Sequence, residues 1–91
     1  MKLNDIVTVV AVTGAEYIGK FRKETDATFV IGDPHIVSPI DDNIQFMPTV
    51  AMTGAPNIGE ATFQKTGVLL VVRTAEEVAK GYTKSISGII L

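Results

Sequence analysis

Residues 7–21, VTVVAVTGAEYIGKF, decide the fold of this chain. Residues 6–13 are rich in valine and almost wholly apolar, which is typical of a strand covered on both faces. Thr13-Gly14-Ala15 predicts a turn, and residues 16–24 then alternate between apolar and polar side chains. Gly19 lies in the middle of this second strand, where glycine marks a sharp bend or a close backbone approach. The stretch therefore predicts the first hairpin of a bent sheet.

The same residues also resemble a phosphate-binding loop, with four residues between Gly14 and the Gly19-Lys20 pair. Phe21 stands where that loop needs a serine or threonine to bind magnesium. The pattern after Gly19 alternates with a period of two, whereas the loop requires a helix there. Glu16 would also place a negative charge beside the phosphates. These features favour the hairpin over a nucleotide site.

The composition limits the fold to one small domain that is unusually rich in apolar residues. The chain has 91 residues, of which 46% are hydrophobic and 20% charged, and its mean hydropathy is +0.31. A domain of this size can bury only part of its apolar surface in its own core. We therefore expect the remaining apolar surface to lie in a subunit interface. There are no cysteines, which excludes disulfides and thiolate zinc sites. The net charge of −2 counts against a broad basic surface for duplex nucleic acid.

Targeting and membrane signals are not apparent in the sequence. Lys2 is followed at once by Asn4 and Asp5, unlike the apolar segment of a signal peptide. No apolar run approaches the ~20 residues that a membrane span needs. We expect an intracellular, cytoplasmic protein without membrane contact.

The rest of the chain predicts three or four more strands and one helix. The apolar stretches lie at residues 28–31, resuming at 35–37 after Asp33-Pro34, and at 44–52, 61–64 and 68–72. Residues 38–43 and 53–60 are expected to be loops. Pro48 cannot donate a ladder hydrogen bond, which makes 44–52 an edge strand or a bulged one.

At Thr74 the period changes to that of a helix. Thr74 and Glu77 have the spacing of a capping box, and Val78, Tyr82 and Ile86 form one apolar stripe. Gly88 is expected to stop the helix, and the apolar residues 89–91 to close its end. The fold predicted for residues 1–91 is a single, mainly β domain. It is a small, strongly bent, five-stranded antiparallel barrel (Sm-like or SH3-like) with a C-terminal helix at about 75–87.

Read as a hairpin, the opening segment resembles the Sm/LSm family of RNA-associated ring proteins. The similarity lies in Val7-Thr8-Val9, the Gly14 turn, Gly19-Lys20-Phe21, the acidic loop at 24–26 and Phe29-Val30-Ile31. Divergent Sm-like proteins of phages are the nearest relatives that these motifs indicate. The resemblance implies a non-enzymatic homo-oligomeric ring of about five to seven subunits. It also implies binding of single-stranded RNA or DNA and a role in RNA processing. The setting that it implies is the cytoplasm, including the cytoplasm of a host cell infected by a phage.

The resemblance places the nucleic-acid contacts in and beside the loop between the second and third strands, and around the last strand. Aromatic side chains would stack on bases there while cations neutralise phosphates. The candidate residues are Lys23, Asp26, Thr28, Phe29, Lys65 and Arg73.

Simpler explanations compete with that assignment. Lys20, Arg22 and Lys23 are also consistent with an ordinary solvated strand face. Phe21, Phe29, Phe46 and Phe63 are more typical of a core. The second motif of the family is absent and the pI is about 5.2, which favours the alternative of a structural or protein-interaction ring, such as a phage assembly component.

Catalytic and metal chemistry find little support in the sequence. His35 is the single histidine, and with Asp33, Asp41 and Asp42 nearby it allows a metal site, although an exposed Asp-Pro-His turn is the commoner arrangement. Without cysteine, this one histidine has no evident nucleophile to activate. Glu76 and Glu77 suit the first turn of a helix and need no catalytic role. We predict no enzyme activity, no metal and no cofactor.

Overall fold

A computed structural model of the protein describes residues 1–51, 53–55 and 59–87. These ranges contain six strands, a 3₁₀ turn and one helix. The elements are β1 (Ile6–Ala11), β2 (Glu16–Glu24), β3 (Thr28–Ile40), β4 (Asn43–Met47), β5 (Glu60–Gln64), the 3₁₀ turn (Lys65–Gly67), β6 (Val68–Arg73) and α1 (Glu76–Ser87). The mainly β fold with a C-terminal helix is confirmed. The prediction of five strands is wrong, because the described residues form six.

The strands form one antiparallel sheet that is open in the described part of the chain. Its order is β4-β3-β2-β1-β6, and β5 pairs with β3 as well. β3 has room for two partners on one side because it is 13 residues long. Its first half, from Thr28 to Gly32, pairs with β5, and its second half, from Ile36 to Ile40, pairs with β4. β4, β5 and β6 are therefore the edges of the sheet.

The segment expected at a sheet edge from Pro48 does lie at one, with different bounds. β6 pairs with β1, and β4 pairs with β3, at the two ends of the strand order. β4 ends at Met47, directly before Pro48, so the strand predicted over residues 44–52 is about half as long as expected. The loop predicted over residues 38–43 is also shorter, because β3 continues to Ile40 and only Asp41 and Asp42 form the turn.

The hairpin predicted over residues 7–21 is confirmed. β1 and β2 pair from Val10 opposite Glu16 to Ile6 opposite Lys20. Gly14 lies in the turn with φ of 94°, a value that glycine adopts without strain. Gly19 is buried, and a Cβ atom placed on it would lie 2.7 Å from the Gly32 carbonyl oxygen and against the Ile31 side chain. The glycine thus permits a close approach of β2 to β3.

The strand break expected at Asp33-Pro34 is a bulge inside a continuous strand. Ile18 pairs with His35 and Lys20 with Gly32, so one residue of β2 faces two residues of β3. The bulge holds Asp33 at φ of 47° and buries Pro34. This kink separates the half of β3 that pairs with β5 from the half that pairs with β4.

The main core covers one face of the sheet. Val7, Val9 and Ile31 are fully buried at its centre. Six partly buried hydrophobic side chains pack against them: Tyr17, Phe21, Phe29, Phe63, Val68 and Val71. Three of the four phenylalanines therefore pack in this core, as predicted, and Tyr17 meets Phe63 edge to face with ring centroids 5.2 Å apart.

Helix α1 packs on the opposite face of the sheet through Tyr82, which is fully buried. Its hydroxyl donates a 2.6 Å hydrogen bond to the Asp33 carbonyl oxygen. Its ring meets the edges of His35 and Phe46 at centroid distances of 5.4 and 6.0 Å. Val78 and Ile86 are partly buried, so the predicted helical stripe is confirmed.

The start of the helix differs from the prediction. The Ala79 N–H donates to the Ala75 carbonyl, which makes Ala75 the N-cap residue. The Thr74 hydroxyl instead pairs with the Thr8 hydroxyl at 2.8 Å. Thr74 therefore joins the end of β6 to β1 and does not cap the helix. The predictions for Gly88 and residues 89–91 lie outside the described residues.

In the described ranges, no helix combines the length and the apolar character needed to cross a bilayer.

Substituting Gly19 tests the close approach of β2 and β3. We expect Gly19→Ala to lower the free energy of unfolding by about 1–3 kcal/mol, because the new methyl group overlaps the backbone of β3. Gly67→Ala is the matched control: no atom lies within 4 Å of its added Cβ, and it should change stability by less than about 1 kcal/mol. Urea denaturation at one fixed protein concentration measures both. Equal effects of the two substitutions would contradict the close approach.

The burial of Tyr82 predicts how the free energy of unfolding changes at high pH. Burial raises the pKa of Tyr82 well above its ordinary value; the nearby Asp33 charge adds to this and Arg22 opposes it. The unfolded chain releases the Tyr82 proton near pH ~10, while the folded protein keeps it. The stabilisation is therefore complete below pH ~10 and is lost as the pH rises above that value.

We expect Tyr82→Phe to cost about 0.5–1.5 kcal/mol at neutral pH through the lost hydrogen bond. It should also flatten the decline in stability above pH ~10 relative to the wild type. Urea midpoints between pH ~8 and ~11 measure this decline, and Tyr17→Phe controls for the loss of one phenol. Identical pH slopes for Tyr82→Phe and the wild type would refute the assignment.

Candidate nucleic-acid interface

The turn between β2 and β3 is held by the hydroxyl of Thr25. That oxygen accepts hydrogen bonds from the N–H groups of Ala27 (3.2 Å) and Thr28 (3.0 Å), and it pairs with the Thr28 hydroxyl at 2.7 Å. Short hydroxyl side chains commonly fix turns in this way. The Thr28 hydroxyl is therefore engaged inside the turn, and its role in the structure is to shape this loop.

The 3₁₀ turn brings Lys65 to the same place. Its backbone N–H donates a 2.8 Å hydrogen bond to the Ala27 carbonyl oxygen. Its Nζ lies 2.7 Å from a carboxylate oxygen of Glu24 and 5.0 Å from the centroid of the Phe29 ring. A cation over an aromatic face is favourable, and this geometry holds Lys65 across the ring. The Phe29 ring is partly buried against the core on its other side.

Five of the six predicted contact residues thus meet at one end of the molecule, which we call the β2–β3 end. Its members are Lys23, Asp26, Thr28, Phe29 and Lys65. Lys23 and Asp26 are exposed, whereas Lys65 is paired with Glu24. With Glu24 included, this end carries two positive and two negative side chains. The charges at this end therefore cancel overall, and only the immediate surroundings of Lys23 and Lys65 attract phosphate.

Arg73 lies apart from these residues. It pairs with Val7 in the sheet, and Val7 in turn pairs with Gly19 on β2. Gly19 and Lys23 are four residues apart along β2, which corresponds to roughly 13 Å of strand. The Arg73 guanidinium contacts the Asp5 carboxylate at 3.3 Å. The pKa of Asp5 is lowered, chiefly by the hydrogen bond from the Lys2 N–H and further by the charge of Arg73, while partial burial acts in the opposite direction. The structure does not bring Arg73 to the β2–β3 end.

The lysines and arginine of β2 are not a uniform solvated face. Lys20 is half-buried and lies 3.1 Å from the Asp33 carboxylate. The Arg22 side chain crosses Gly32, hydrogen-bonds Asn4 and lies 3.8 Å from Glu60. Only Lys23 extends freely into solvent. The sequence spacing carries no signal for these pairs, because each joins residues from different elements.

The β6 edge is apolar and exposed. Leu69, Leu70 and Val72 are 66%, 42% and 47% exposed, and in the described part of the chain β6 pairs only with β1. An open edge with apolar side chains is a template for pairing with another chain. β5 offers a second open edge on the other side of the 3₁₀ turn.

His35 is used inside the protein. Its Nδ1–H donates to the Asp33 carbonyl oxygen at 2.9 Å, and its ring packs against Tyr82. Within residues 1–51, 53–55 and 59–87, no three histidine or carboxylate side chains converge in a way that holds a metal ion.

No protein-family model matches this chain, and no curated protein matches it. The resemblance to the Sm/LSm family therefore rests on the motifs within residues 7–31 alone.

Proposed function

We propose that this protein is a non-enzymatic, Sm-like homo-oligomeric ring that binds single-stranded nucleic acid, RNA above all, at its β2–β3 end. The observation that carries the proposal is the open sheet. β5 and β6 are joined by a three-residue 3₁₀ turn, yet neither pairs with the other. Both edges are thus free to pair with neighbouring copies, as edge strands do in the family that the opening motifs resemble.

The exposed apolar side chains of β6 support self-association. A monomer that leaves Leu69, Leu70 and Val72 on an open edge risks uncontrolled aggregation. Pairing that edge with a second copy covers these side chains and satisfies the free backbone groups. Repeated around a closed ring, the same contact leaves neither β5 nor β6 open.

The β2–β3 end supports binding of single strands. Phe29 and Lys65 form an aromatic and cationic pair of the kind on which bases and phosphates are bound, and Lys23 adds an exposed charge. A base that stacks on Phe29 would take the place of Lys65 on the ring face that Lys65 covers, and such stacking contributes roughly 1–3 kcal/mol per base. A ring repeats this modest site in every subunit, so that a single strand engages several sites at once.

The assembly is tested by native mass spectrometry. We expect one closed oligomer of about five to seven subunits, and we expect Leu69→Lys to dissociate it because a charge on the edge opposes pairing. Leu3→Lys is the control, since Leu3 is equally exposed, at 65% against 66%, but lies outside the strands. A wild-type monomer at micromolar concentration would refute the ring.

Oligonucleotide binding is tested with oligo-U and oligo-A at low salt. Glu24→Gln releases Lys65 from its ion pair, so we expect tighter binding and a steeper salt dependence. Glu76→Gln removes the same charge without releasing a lysine, and should change affinity less. Lys23→Ala should weaken binding and reduce the salt slope by about one phosphate contact. If the wild-type ring at micromolar concentration binds no single strand, this function is wrong.

The distribution of ion pairs favours a second candidate, a structural or protein-interaction ring without nucleic acid. Four of the eight cations are paired with carboxylates of the same chain: Lys20, Arg22, Lys65 and Arg73. Such pairing leaves little positive charge for phosphates. A closed ring in light scattering, combined with no binding of oligo-U or oligo-A, would select this candidate.

A further inference from the structure

A groove opens on the helix side of the sheet, away from the β2–β3 end. It lies between the start of α1, the β1–β2 turn and the hairpin of β3 and β4, and its volume is about 630 Å³. This size lies within the range of clefts that hold ligands. Its walls are largely apolar and include Ile18, Val37, Pro39, Ile44 and Val78. Ile44 is 46% exposed, so the groove presents apolar side chains directly to solvent.

The charged side chains that line this groove or flank its walls are acidic, and they form no ion pair in the described part of the chain. Six carboxylates form no ion pair in the described part of the chain, namely Glu16, Asp26, Asp41, Asp42, Glu76 and Glu77. Glu16 lines the groove itself. Asp41 and Asp42 form the tip of the hairpin whose Pro39 and Ile44 line it.

The helix adds no charge to the lining of the groove. Ala75 and Val78 line it, whereas Glu76 and Lys80, each two residues from Val78 on the helix, are directed away from Val78. In the part of the chain that the structure describes, no lysine or arginine lines the groove. Three unpaired carboxylates, Glu16, Asp41 and Asp42, therefore lie in or beside an apolar surface that no described cation lines.

We infer that this groove binds a short peptide segment of a partner protein in which apolar side chains are flanked by lysine or arginine. The apolar walls would take the apolar side chains, and the rim would attract the cations. The same acids repel phosphates, so the groove is not part of a nucleic-acid site. The inference does not rest on the proposed function, because it needs neither the ring nor an oligonucleotide.

The probe is a fluorescein-labelled synthetic peptide with two leucines flanked by lysine and arginine. We expect saturable binding in fluorescence anisotropy, weakening as salt rises from about 0.05 to 0.5 M. A peptide with serine in place of the leucines, and one with glutamate in place of the cations, should each bind at least about tenfold more weakly. Lack of saturable binding of the first peptide overturns the inference.

Matched substitutions locate the site. Ile44→Ser should weaken peptide binding about tenfold, whereas Leu3→Ser, at an exposed position outside the strands, should leave it unchanged. Glu16→Gln should weaken binding and reduce its salt dependence, whereas Asp26→Asn at the β2–β3 end should do neither. Ile44→Ser binding as tightly as the wild type overturns the placement.

Binding of labelled oligo-U by the groove variants separates this site from the proposed nucleic-acid site. Ile44→Ser should bind oligo-U as tightly as the wild type. Loss of oligo-U binding in Ile44→Ser would mean a shared site and would overturn the inference, whereas failure of oligo-U to bind to the wild type bears only on the proposed function.

Discussion

The close approach of β2 and β3 at Gly19 is the constraint on which the rest of this structure depends. Because Gly19 has no side chain, the backbone at Gly32 can come near enough for β3 to bulge at Asp33 and Pro34. The bulge turns β3 sharply enough to give it two partners, β5 before the kink and β4 after it. One missing Cβ atom thus determines how a single hairpin becomes a six-stranded sheet with three edges.

The kink also fixes the helix. At the bulge the Asp33 carbonyl oxygen leaves the strand ladder and accepts hydrogen bonds from the Tyr82 hydroxyl and the His35 ring. The Asp33 carboxylate forms an ion pair with Lys20 on the neighbouring strand. A buried carbonyl without partners would cost free energy, so these donors stabilise the bent backbone as much as they dock the helix. Helix and bend therefore depend on each other.

The sequence was informative where the signal is local. The alternation around Gly19 predicted a hairpin with a close approach, and the stripe through Val78 and Tyr82 predicted the helix. Long-range relations left no comparable signal. The bulge lets β3 run through Asp33-Pro34, where a break was expected, and Lys65 meets Glu24 across 41 residues. Five of the candidate contact residues cluster around one loop, whereas Arg73 lies at the end of the last strand, and its distance from that loop is set by strand order, which the sequence does not show.

The charge pattern then divides the molecule into two ends with different chemistry. At the β2–β3 end, Lys65 is shared between Glu24 and the face of Phe29, so a phosphate must compete with a carboxylate for it. At the other end, Glu16 and the hairpin tip keep their charges beside an apolar surface. A polyanion is thereby directed away from the groove, and a basic segment towards it. A chain of net charge −2 thus presents surfaces of different charge at its two ends, because pairing within the chain decides which charges face outward.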